Sequence, residues 1–411
     1  MDVYKQYIKL GYKPKKDELV CDFYFEPAKS AREVAGAIAA ESSTGTWTTL
    51  STMQLKKMAA IGAKVFGLKK NRAKIAYPLD LFELGNMAQI YSSIAGNIFG
   101  MKEVRNLRLE DFHFPQKLIK SFKGPQFGID SIRKILKVKK RPLCGTIVKP
   151  KLGLTAKEHA KVAYEAWVGG LDIVKDDENL TSQPFNKFKE RAIETIKLKK
   201  KAEKETGEKK IYMCNVTAET SEMLKRAKFL KSLGNEYAMV DILTVGWSGL
   251  QSLRNEMSKL KLVIHAHRAM HAALTRNPKH GISMKVIAKT ARLIGADQLH
   301  IGTAVGKMSE DRQTVTENVK ALLEPMGGLK QTFPVCSGGL QPAHIPILVK
   351  YFGKDIIMQA GGGVHGHPQG TRAGARAMRQ AIDAAMKGIT LKEYAKDHKE
   401  LKQAISKWGY K

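Results

Sequence analysis

The sequence predicts an α/β protein in which a smaller N-terminal α+β domain precedes a TIM (β/α)8 barrel. Beyond residue 125, short apolar strand patterns alternate with longer helical patterns eight times, which is the order expected for a parallel barrel. The segment 105–125 is mixed and contains proline, so we expect domains at 1–124 and 125–411. A doubly wound open sheet is the structural alternative. It usually has fewer units and often a glycine-rich first turn, which the first unit here lacks.

The N-terminal part alternates strand-like and helix-like patterns. A strand is predicted over Leu19–Phe25 and a helix over Ser30–Ala40, and a polar turn follows over Ser42–Thr49. Further strands and helices continue to about Gly100. This order is typical of a small α+β unit.

The barrel strands are predicted from short apolar runs. A plausible helix follows each of the first seven, and a last helical pattern begins after Gly370. The eight predicted strands are Leu143–Val148, Leu171–Val174, Ile211–Val216, Tyr237–Leu243, Leu262–His267, Gln298–Ile301, Phe333–Ser337 and Ile356–Ala360.

The composition combines a sizeable core with a large positive charge. Of the 411 residues 43% are hydrophobic, and the net charge is +31. Such a charge attracts polyanions, so a basic protein that binds RNA or DNA on a barrel scaffold is our second hypothesis. However, lysines are spread over the whole chain, and no basic patch interleaved with aromatic residues is evident. We therefore favour solvated charge and expect no nucleic-acid partner.

The densest lysine region, 197–210, lies in a helical pattern that Gly207 would end. We interpret its lysines as a solvated helix face opposite an apolar stripe of Phe188, Ala192, Ile193 and Ile196.

The cysteine pattern and the absence of long apolar runs predict a cytoplasmic protein. The cysteines lie in apolar, strand-like runs without a CxxC pair, so we expect buried, reduced thiols. No secretory signal is evident, and no apolar run approaches the ~20 residues of a membrane span. The four cysteines are Cys21, Cys144, Cys214 and Cys336.

The segment 169–178, GGLDIVKDDE, joins a strand to one lysine and three carboxylates. Chemistry in α/β proteins sits at the carboxyl ends of strands, and clustered carboxylate oxygens suit Mg²⁺. A neutral lysine is nucleophilic, and with CO₂ it could form a carbamate, which is a new oxygen ligand. The pattern therefore suggests a Mg²⁺ site made of Lys175, Asp177 and Glu178. Taken alone, the motif fits a solvated acidic turn better, and it is the remaining strand ends that favour the metal site.

Those strand ends carry further charged, polar or glycine residues. Each has a structural explanation on its own, such as a surface lysine or a core histidine, but parallel strands bring their carboxyl ends to one rim. In strand order the residues are Lys149 and Lys151, Asn215, His265, His267 and Arg268, His300 with the loop 302–307, Ser337 to Gly339, and Gly361 to Gly363.

Glycine turns and cations at this rim suggest two anion sites. Glycine lets backbone N–H groups approach an anion closely, and the turns after strands seven and eight of TIM barrels commonly bind phosphate. Arg268 and His300 could hold a second phosphate. Two anion sites beside a metal suggest a bisphosphorylated substrate. The alternative is that Gly361–Gly363 is only a tight turn.

Longer motifs cover almost the whole chain. They are GTIVKPKLGL (145–154), GGLDIVKDDENLTSQPF (169–185), HRAMHA (267–272), GTAVGK (302–307), SGG (337–339) and GGGVHGHPQG (361–370), with ESSTGTWTT (41–49) and GNIFGMK (96–102) in the small domain. On these motifs the chain closely resembles the large subunit of ribulose-1,5-bisphosphate carboxylase/oxygenase, RuBisCO, of the archaeal form III type. The resemblance implies a ferredoxin-like N-terminal domain on the barrel. It also implies Mg²⁺-dependent enolisation of ribulose-1,5-bisphosphate, CO₂ addition at C2 and cleavage to two 3-phosphoglycerate, with O₂ as a competing substrate.

The resemblance implies a role for each matching residue. Lys175 would be carbamylated, Asp177 and Glu178 would complete the Mg²⁺ ligands, and the carbamate would remove the C3 proton. Lys149 would protonate the carbanion after C–C cleavage, with Lys151 tuning its proton affinity.

Further roles follow from the same resemblance. Lys307 would close over the substrate on a mobile loop, paired with Glu41, and would stabilise the new carboxylate. His267 would take part in proton transfer at C3, and Ser337 would hold a substrate hydroxyl. The residues that would bind the phosphates or otherwise contact the substrate are Arg268 and His300 on one side, Thr46, Trp47, Gly338, Gly339, Gly361 and Gly362 on the other, and Asn97 near the metal.

In this family Glu41, Thr46, Trp47 and Asn97 belong to the neighbouring chain. The resemblance therefore implies a homodimer or a ring of dimers with shared active sites, without small subunits. Form III chains are generally associated with nucleotide (AMP) salvage.

Some features differ from plant-type chains. Ile147 and Ile301 replace a threonine and a serine, the loop 308–311 departs from the usual pattern, and we expect no C-terminal tail that latches this loop. Weaker latching is expected to alter CO₂/O₂ discrimination.

The main rival is a RuBisCO-like enolase or isomerase of sulfur salvage on the same fold. Such proteins typically keep the metal-binding lysine and carboxylates but replace other positions. The positions that stand here as a carbon–carbon lyase requires are Glu41, Asn97, Lys149, Lys307, Ser337 and the phosphate glycines. This set favours the carboxylase.

Overall fold

A computed structural model describes residues 4–48, 50–306 and 310–410 of the chain. The described chain forms two compact units. The first comprises Met1–Lys123, Met270–Ile294 and Met326–Gly328, and the second comprises Gly124–Ala269, Gly295–Pro325 and Leu329–Lys411. Two short segments of the first unit thus come from the part of the sequence that we assigned to the barrel domain, and the boundary at 124/125 stays a prediction.

The strands are short and, in chain order, alternate with helices in the second unit. They are β1 Glu18–Pro27, β2 Lys64–Lys69, β3 Arg72–Pro78, β4 Val104–His113, β5 Leu143–Ile147, β6 Ile173–Lys175, β7 Ile211–Met213, β8 Tyr237–Asp241, β9 Val263–His267, β10 Gly281–Ile282, β11 Gln298–His300, β12 Phe333–Ser337 and β13 Ile357–Gln359.

The helices range from single turns to nineteen residues. They are α1 Ala31–Glu41, α2 Leu55–Ile61, α3 Met87–Ile94, α4 Gln116–Lys120, α5 Gly128–Leu136, α6 Ala156–Val168, α7 Phe188–Thr206, α8 Thr220–Ser232, α9 Gly246–Leu260, α10 His271–Thr275, α11 Met284–Ile294, α12 Arg312–Leu323, α13 Ile345–Phe352, α14 Gly362–His365, α15 Gly370–Lys387, α16 Leu391–Tyr394 and α17 Lys399–Trp408. Short 3-10 helices lie at Lys5–Tyr7, Leu79–Leu81, Asn97–Gly100 and Pro342–His344.

The first unit is an α+β fold around a five-stranded sheet in the order β10-β4-β1-β3-β2. Its strands pair antiparallel, except that β10 runs parallel to β4. In β1 the side chains alternate between a buried and a more exposed face, as a half-buried strand requires. The predicted strand over Leu19–Phe25 and helix over Ser30–Ala40 are both confirmed. Ser30 ends up as the N-cap of α1, accepting a hydrogen bond from the Glu33 N–H.

The second unit is a parallel eight-stranded barrel. Its strands follow the order β7-β6-β5-β13-β12-β11-β9-β8, and the parallel bridge between Asn215 and Met239 joins β7 to β8 and closes the sheet. All eight predicted strands are confirmed, with ends that differ by up to three residues. The predicted fold class is therefore confirmed.

The apolar core of the barrel lies toward the beginnings of its strands. Leu143, Ile211, Tyr237 and Phe333 belong to one buried cluster, and α5 adds Ile132 to it. Because this end is filled with apolar side chains, the carboxyl ends of the strands are left for polar groups.

The lysine-rich helix α7 ends at Gly207 as predicted, with φ of 68°. The predicted stripe was wrong at Ile193, which is 47% exposed. The solvated-face interpretation was also wrong for Lys199 and Lys210, which are buried and paired with Glu236 and Glu208. Their long side chains reach carboxylates that sequence spacing does not reveal.

The expectation of buried, reduced cysteines is confirmed, because all four cysteines are free and buried. Of the helices in the described part of the chain, none is both long and apolar enough to cross a bilayer.

Candidate active site

The acidic turn after β6 brings one amine and two carboxylates together. Lys175, the last residue of β6, is 1% exposed, and its Nζ donates to the Asp176 carbonyl oxygen at 2.8 Å. The same Nζ lies 3.5 Å from Glu178 Oε2. Lys149, just beyond β5, reaches across so that its Nζ lies 2.7 Å from Asp177 Oδ2. The sequence-predicted residues Lys149, Lys175, Asp177 and Glu178 thus form one cluster.

The third carboxylate, Asp176, points away from this cluster into the protein. Arg191 Nε donates to Asp176 at 3.0 Å, and the Tyr212 hydroxyl donates at 2.7 Å. Burial raises the pKa of Asp176, but the Arg191 guanidinium and His159 outweigh it, so this pKa is lowered. Asp176 therefore anchors the turn and leaves Asp177 and Glu178 as the available ligands.

Asn215 holds the backbone of the same turn. Its Nδ2 donates to the carbonyl oxygens of Asp177 at 3.4 Å and Glu178 at 3.2 Å, and its N–H donates to Asp176 at 2.9 Å. The end of β7 therefore orients the acidic turn that follows β6.

His267, at the end of β9, faces Glu178. Its Nε2 lies 3.6 Å from Glu178 Oε2, while its Nδ1 accepts a hydrogen bond from the Ala269 N–H at 3.2 Å. His267 therefore lies against the Glu178 carboxylate on the inner side of the rim. Burial opposes ionisation of Glu178, but Lys175 and His267 lower the pKa of its carboxyl to about 2.

One carboxylate at this rim was not among the residues predicted from the sequence. Asp241 ends β8, and its Oδ1 lies 3.2 Å from His267 Nδ1. The available signal was an acid near the end of the fourth predicted barrel strand, Tyr237–Leu243, which we did not include among the rim residues.

The donor set fits Mg²⁺ only if Lys175 contributes a ligand. Within the part of the chain that the structure describes, no three His, Cys, Asp or Glu side chains are grouped as a metal site. Asp177 and Glu178 supply two hard oxygen donors, and the amine of Lys175 lies 3.5 Å from Glu178. A carbamate on this nitrogen would supply the third donor.

Arg268 is a buried cation whose hydrogen-bonding capacity is only partly used. Its Nη2 lies 2.6 Å from Glu310 Oε1, whereas its Nη1 is buried without a hydrogen-bond partner among the described residues. A buried guanidinium with a free donor is a suitable anion ligand. His300 is also buried, and its Nδ1 lies 2.6 Å from the Ser337 hydroxyl oxygen.

The two glycine turns at the rim differ in whether the backbone conformation itself requires glycine. Gly338 and Gly339 have φ of 118° and 72°, a region that favours glycine. At Gly362 a Cβ would meet no atom of the described residues within 4 Å, and its φ is not positive. Since none of these residues demands glycine at 362, the open space above it fits a close approach by a ligand. Gly361 differs, because its Cβ would lie 3.3 Å from Lys149 Cε.

Six further residues were predicted for the site. Lys151 is exposed and contacts Asn179 Oδ1 at 3.3 Å, and Lys307 lies outside the described residues. The others lie in the first unit, where Glu41 ends α1, Thr46 and Trp47 follow it, and Asn97 begins a 3-10 helix.

Comparison with known proteins places both parts of the chain in one family. The model of the ribulose bisphosphate carboxylase large chain, catalytic domain, matches residues 128–408, and that of the N-terminal domain matches residues 6–118. A ribulose bisphosphate carboxylase from Pyrococcus abyssi is 52% identical over 413 residues, covering 99% of this chain and 97% of that protein. One from Methanosarcina barkeri is 51% identical over 423 residues, covering 98% and 99%.

Solved structures of archaeal RuBisCO enzymes also match the chain over nearly its whole length. The octameric ribulose-1,5-bisphosphate carboxylase/oxygenase from Pyrococcus horikoshii, crystallised with sulfate, has a TM-score of 0.96 at 51% identity and covers 99% of this chain and 97% of its own. The dimeric archaeal enzyme from Hyperthermus butylicus has a TM-score of 0.93 at 47% identity and covers 100% of both chains. The chain therefore belongs to the ribulose bisphosphate carboxylase large-chain family.

Proposed function

We propose that this chain catalyses the carboxylation of ribulose-1,5-bisphosphate to two 3-phosphoglycerate, with O₂ as a competing substrate. The observation that carries the proposal is the buried Lys175 amine, 3.5 Å from Glu178 and next to Asp177 at a barrel strand end. The family membership and the relatives' shared name support the same reaction over the enolase or isomerase alternative.

Carbamylation of Lys175 explains why a lysine stands among carboxylates. When the amine nitrogen attacks CO₂ and loses a proton, a cation becomes an anion beside Asp177 and Glu178. Three anions in a largely buried site repel one another unless a cation joins them. Mg²⁺ held by these three residues would supply Lewis-acid stabilisation of negative charge on the substrate oxygens.

Proton transfers fall to the cluster's own side chains. The Lys175 carbamate would take the C3 proton, and His267, 3.6 Å from Glu178, would take part in proton transfer at C3. The Lys149 ammonium, aimed at Asp177, would deliver a proton to the carbanion left by C–C cleavage. Lys151 lies exposed nearby, where its charge would favour proton loss from Lys149.

Substrate orientation would come from the two anion sites. Arg268, with its free Nη1, would bind one phosphate beside His300, and the backbone at Gly338, Gly339, Gly361 and Gly362 would bind the other. Ser337 would contact a hydroxyl between them. Lys307 would stabilise the new carboxylate.

We further propose that two chains share each site, with Glu41, Thr46, Trp47 and Asn97 acting on the barrel of a partner chain. Trp47 is 77% exposed, and an indole left so open to water is the kind of side chain that an interface or ligand covers. Glu41 and Asn97 are exposed as well. The assembly would be a homodimer or a ring of dimers.

The first test is carboxylation with labelled bicarbonate after incubation with CO₂ and Mg²⁺ under anaerobic conditions, beside Lys175→Ala. Labelled 3-phosphoglycerate from the wild type and none from the folded variant is the expected result. If the folded wild type gives no product at several temperatures, the enolase or isomerase reading replaces this one. Salt-sensitive retention of nucleic acid without turnover would instead favour the basic binding protein.

Shared sites are tested by mixing two inactive variants. Lys175→Ala lacks the barrel half of a site, and Glu41→Gln lacks the other half. If sites are shared, subunit exchange restores up to about one quarter of wild-type activity, since one site in a mixed dimer combines two intact halves. Mixed dimers without recovered activity would contradict the proposal.

A further inference from the structure

Gln298, His265, His300 and Ser337 form one continuous hydrogen-bonded chain inside the barrel. Gln298 Oε1 lies 2.9 Å from His265 Nδ1, and His265 Nε2 lies 2.9 Å from His300 Nε2. His300 Nδ1 then lies 2.6 Å from Ser337 Oγ. The first three residues are fully buried, so the chain runs from the interior of the barrel to its rim.

Both histidines of this chain are neutral, which gives the chain a direction. Burial lowers the pKa of His265 to about 3, and burial together with His267 lowers that of His300 well below its usual value. A neutral imidazole has one donor and one acceptor nitrogen. Because the Gln298 carbonyl oxygen can only accept, His265 carries its proton on Nδ1, and its Nε2 accepts from His300 Nε2–H. His300 Nδ1 must then accept from the Ser337 hydroxyl.

The amide nitrogen of Gln298 helps to explain why a glutamine stands at this position. Gln298 Nε2 is buried without a hydrogen-bond partner among the described residues. An unpaired buried N–H group destabilises a protein, and an apolar side chain of similar shape would avoid that cost. The contact of Oε1 with His265 is the feature that accounts for an amide at this position.

We propose that Gln298 is a positioning residue, which holds His265 and His300 in the tautomers that commit the Ser337 proton to His300. Only the oxygen lone pairs of Ser337 then face the barrel mouth. Ser337 would accept a hydrogen bond from a substrate hydroxyl and would discriminate against a carbonyl or an oxyanion at that position. The inference rests on the proposed function for its substrate, but the tautomers themselves can be tested without turnover.

The direct test is neutron diffraction from crystals of the wild-type protein exchanged into D₂O. We expect deuterium on His265 Nδ1 and on His300 Nε2, and a Ser337 deuteroxyl aimed at His300 Nδ1. Deuterium on the opposite nitrogens, with the Gln298 amide reversed, would overturn the proposal. This outcome is independent of whether the protein carboxylates anything.

Variants test the role of Gln298 itself. Gln298→Met keeps the length and removes the acceptor, and Gln298→Glu keeps an oxygen in its place. In ¹⁵N-histidine-labelled protein we expect His265 to lose its Nδ1–H form in the Met variant and to keep it in the Glu variant. We expect kcat/KM to fall about tenfold in the Met variant and to recover most of that loss in the Glu variant. An unchanged His265 tautomer in folded Gln298→Met would overturn the role.

Gln359→Met is the matched control. Gln359 is a buried glutamine of β13, and its Nε2 contacts Met213 Sδ at 3.9 Å, outside the histidine chain. The Gln359→Met variant loses the same amide group but does not change a contact of His265. Its ¹⁵N-histidine signals should therefore stay as in the wild type. If they shift as in Gln298→Met, the effect is general repacking and the proposal fails. An inactive wild type with the expected tautomers would count against the proposed function alone.

Discussion

Lys149 Nζ lies 2.7 Å from Asp177 Oδ2, a contact that joins the carboxyl ends of β5 and β6. The Asp177 side chain is almost completely buried and the Lys149 side chain is 36% exposed, so the lysine offsets a carboxylate that water does not reach. A metal ion bound to Asp177 would take over that compensation and leave the Lys149 proton available for the reaction.

Replacing Lys149 should block the protonation that follows C–C cleavage but should leave the removal of the C3 proton intact. In Lys149→Met we expect product formation to fall by about 10²-fold or more, the usual contribution of a general acid. Exchange of the C3 proton of ribulose bisphosphate should continue, because Lys175 starts that step. Tritium release from C3 and labelled 3-phosphoglycerate are measured side by side. Lys157→Met, an exposed lysine of α6, is the control. A parallel loss of both signals would show that Lys149 acts earlier.

The buried pair Arg191–Asp176 should be a major determinant of stability. Arg191→Met leaves a buried carboxylate without its guanidinium, which typically costs about 3–5 kcal/mol. Denaturant unfolding measures the loss. Arg72→Met removes an exposed ion pair with Glu110 and should cost less than about 1 kcal/mol. Equal losses in the two variants would contradict this assignment.

The same pair predicts a pH dependence. The folded-state pKa of Asp176 is lowered below its ordinary value of about 3.9, so its stabilisation is present above that pH and is lost as the pH falls below it. The stability difference between wild type and Arg191→Met should therefore shrink in acid below about pH 4. A constant difference from pH 7 to pH 3, measured by denaturant unfolding, would rule out this linkage.

Glu310 should compete with substrate for Arg268. Its carboxylate lies 2.6 Å from Arg268 Nη2, on the same guanidinium whose free Nη1 would bind a phosphate. In Glu310→Gln we expect KM for ribulose bisphosphate to fall roughly fivefold, equivalent to about 1 kcal/mol. Steady-state kinetics at fixed ionic strength checks this. The neighbour Asp311, the N-cap of α12, accepts from the Thr314 N–H. Asp311→Asn removes the same charge, and an equal effect there would indicate a general field effect.

The sequence by itself was sufficient to predict the fold class and many of the residues at the rim of the barrel. Apolar runs separated by helical patterns located all eight barrel strands, because strand and helix periodicities are local properties of the chain. The motif at 175–178 indicated a lysine with carboxylate partners, since these residues are adjacent in sequence. The family followed from motifs spread over both domains.

Only the tertiary structure decided which of these side chains meet. It turned Asp176 inward to Arg191, placed Asp241 beside His267, and linked Gln298 to Ser337 through two histidines. It also buried Lys199 and Lys210, which the sequence pattern suggested were solvated. Such contacts join residues on different strands and helices, and local periodicity carries no information about distances between elements. The physical reason is that closure of the barrel, rather than any local preference, brings the strand ends to one rim.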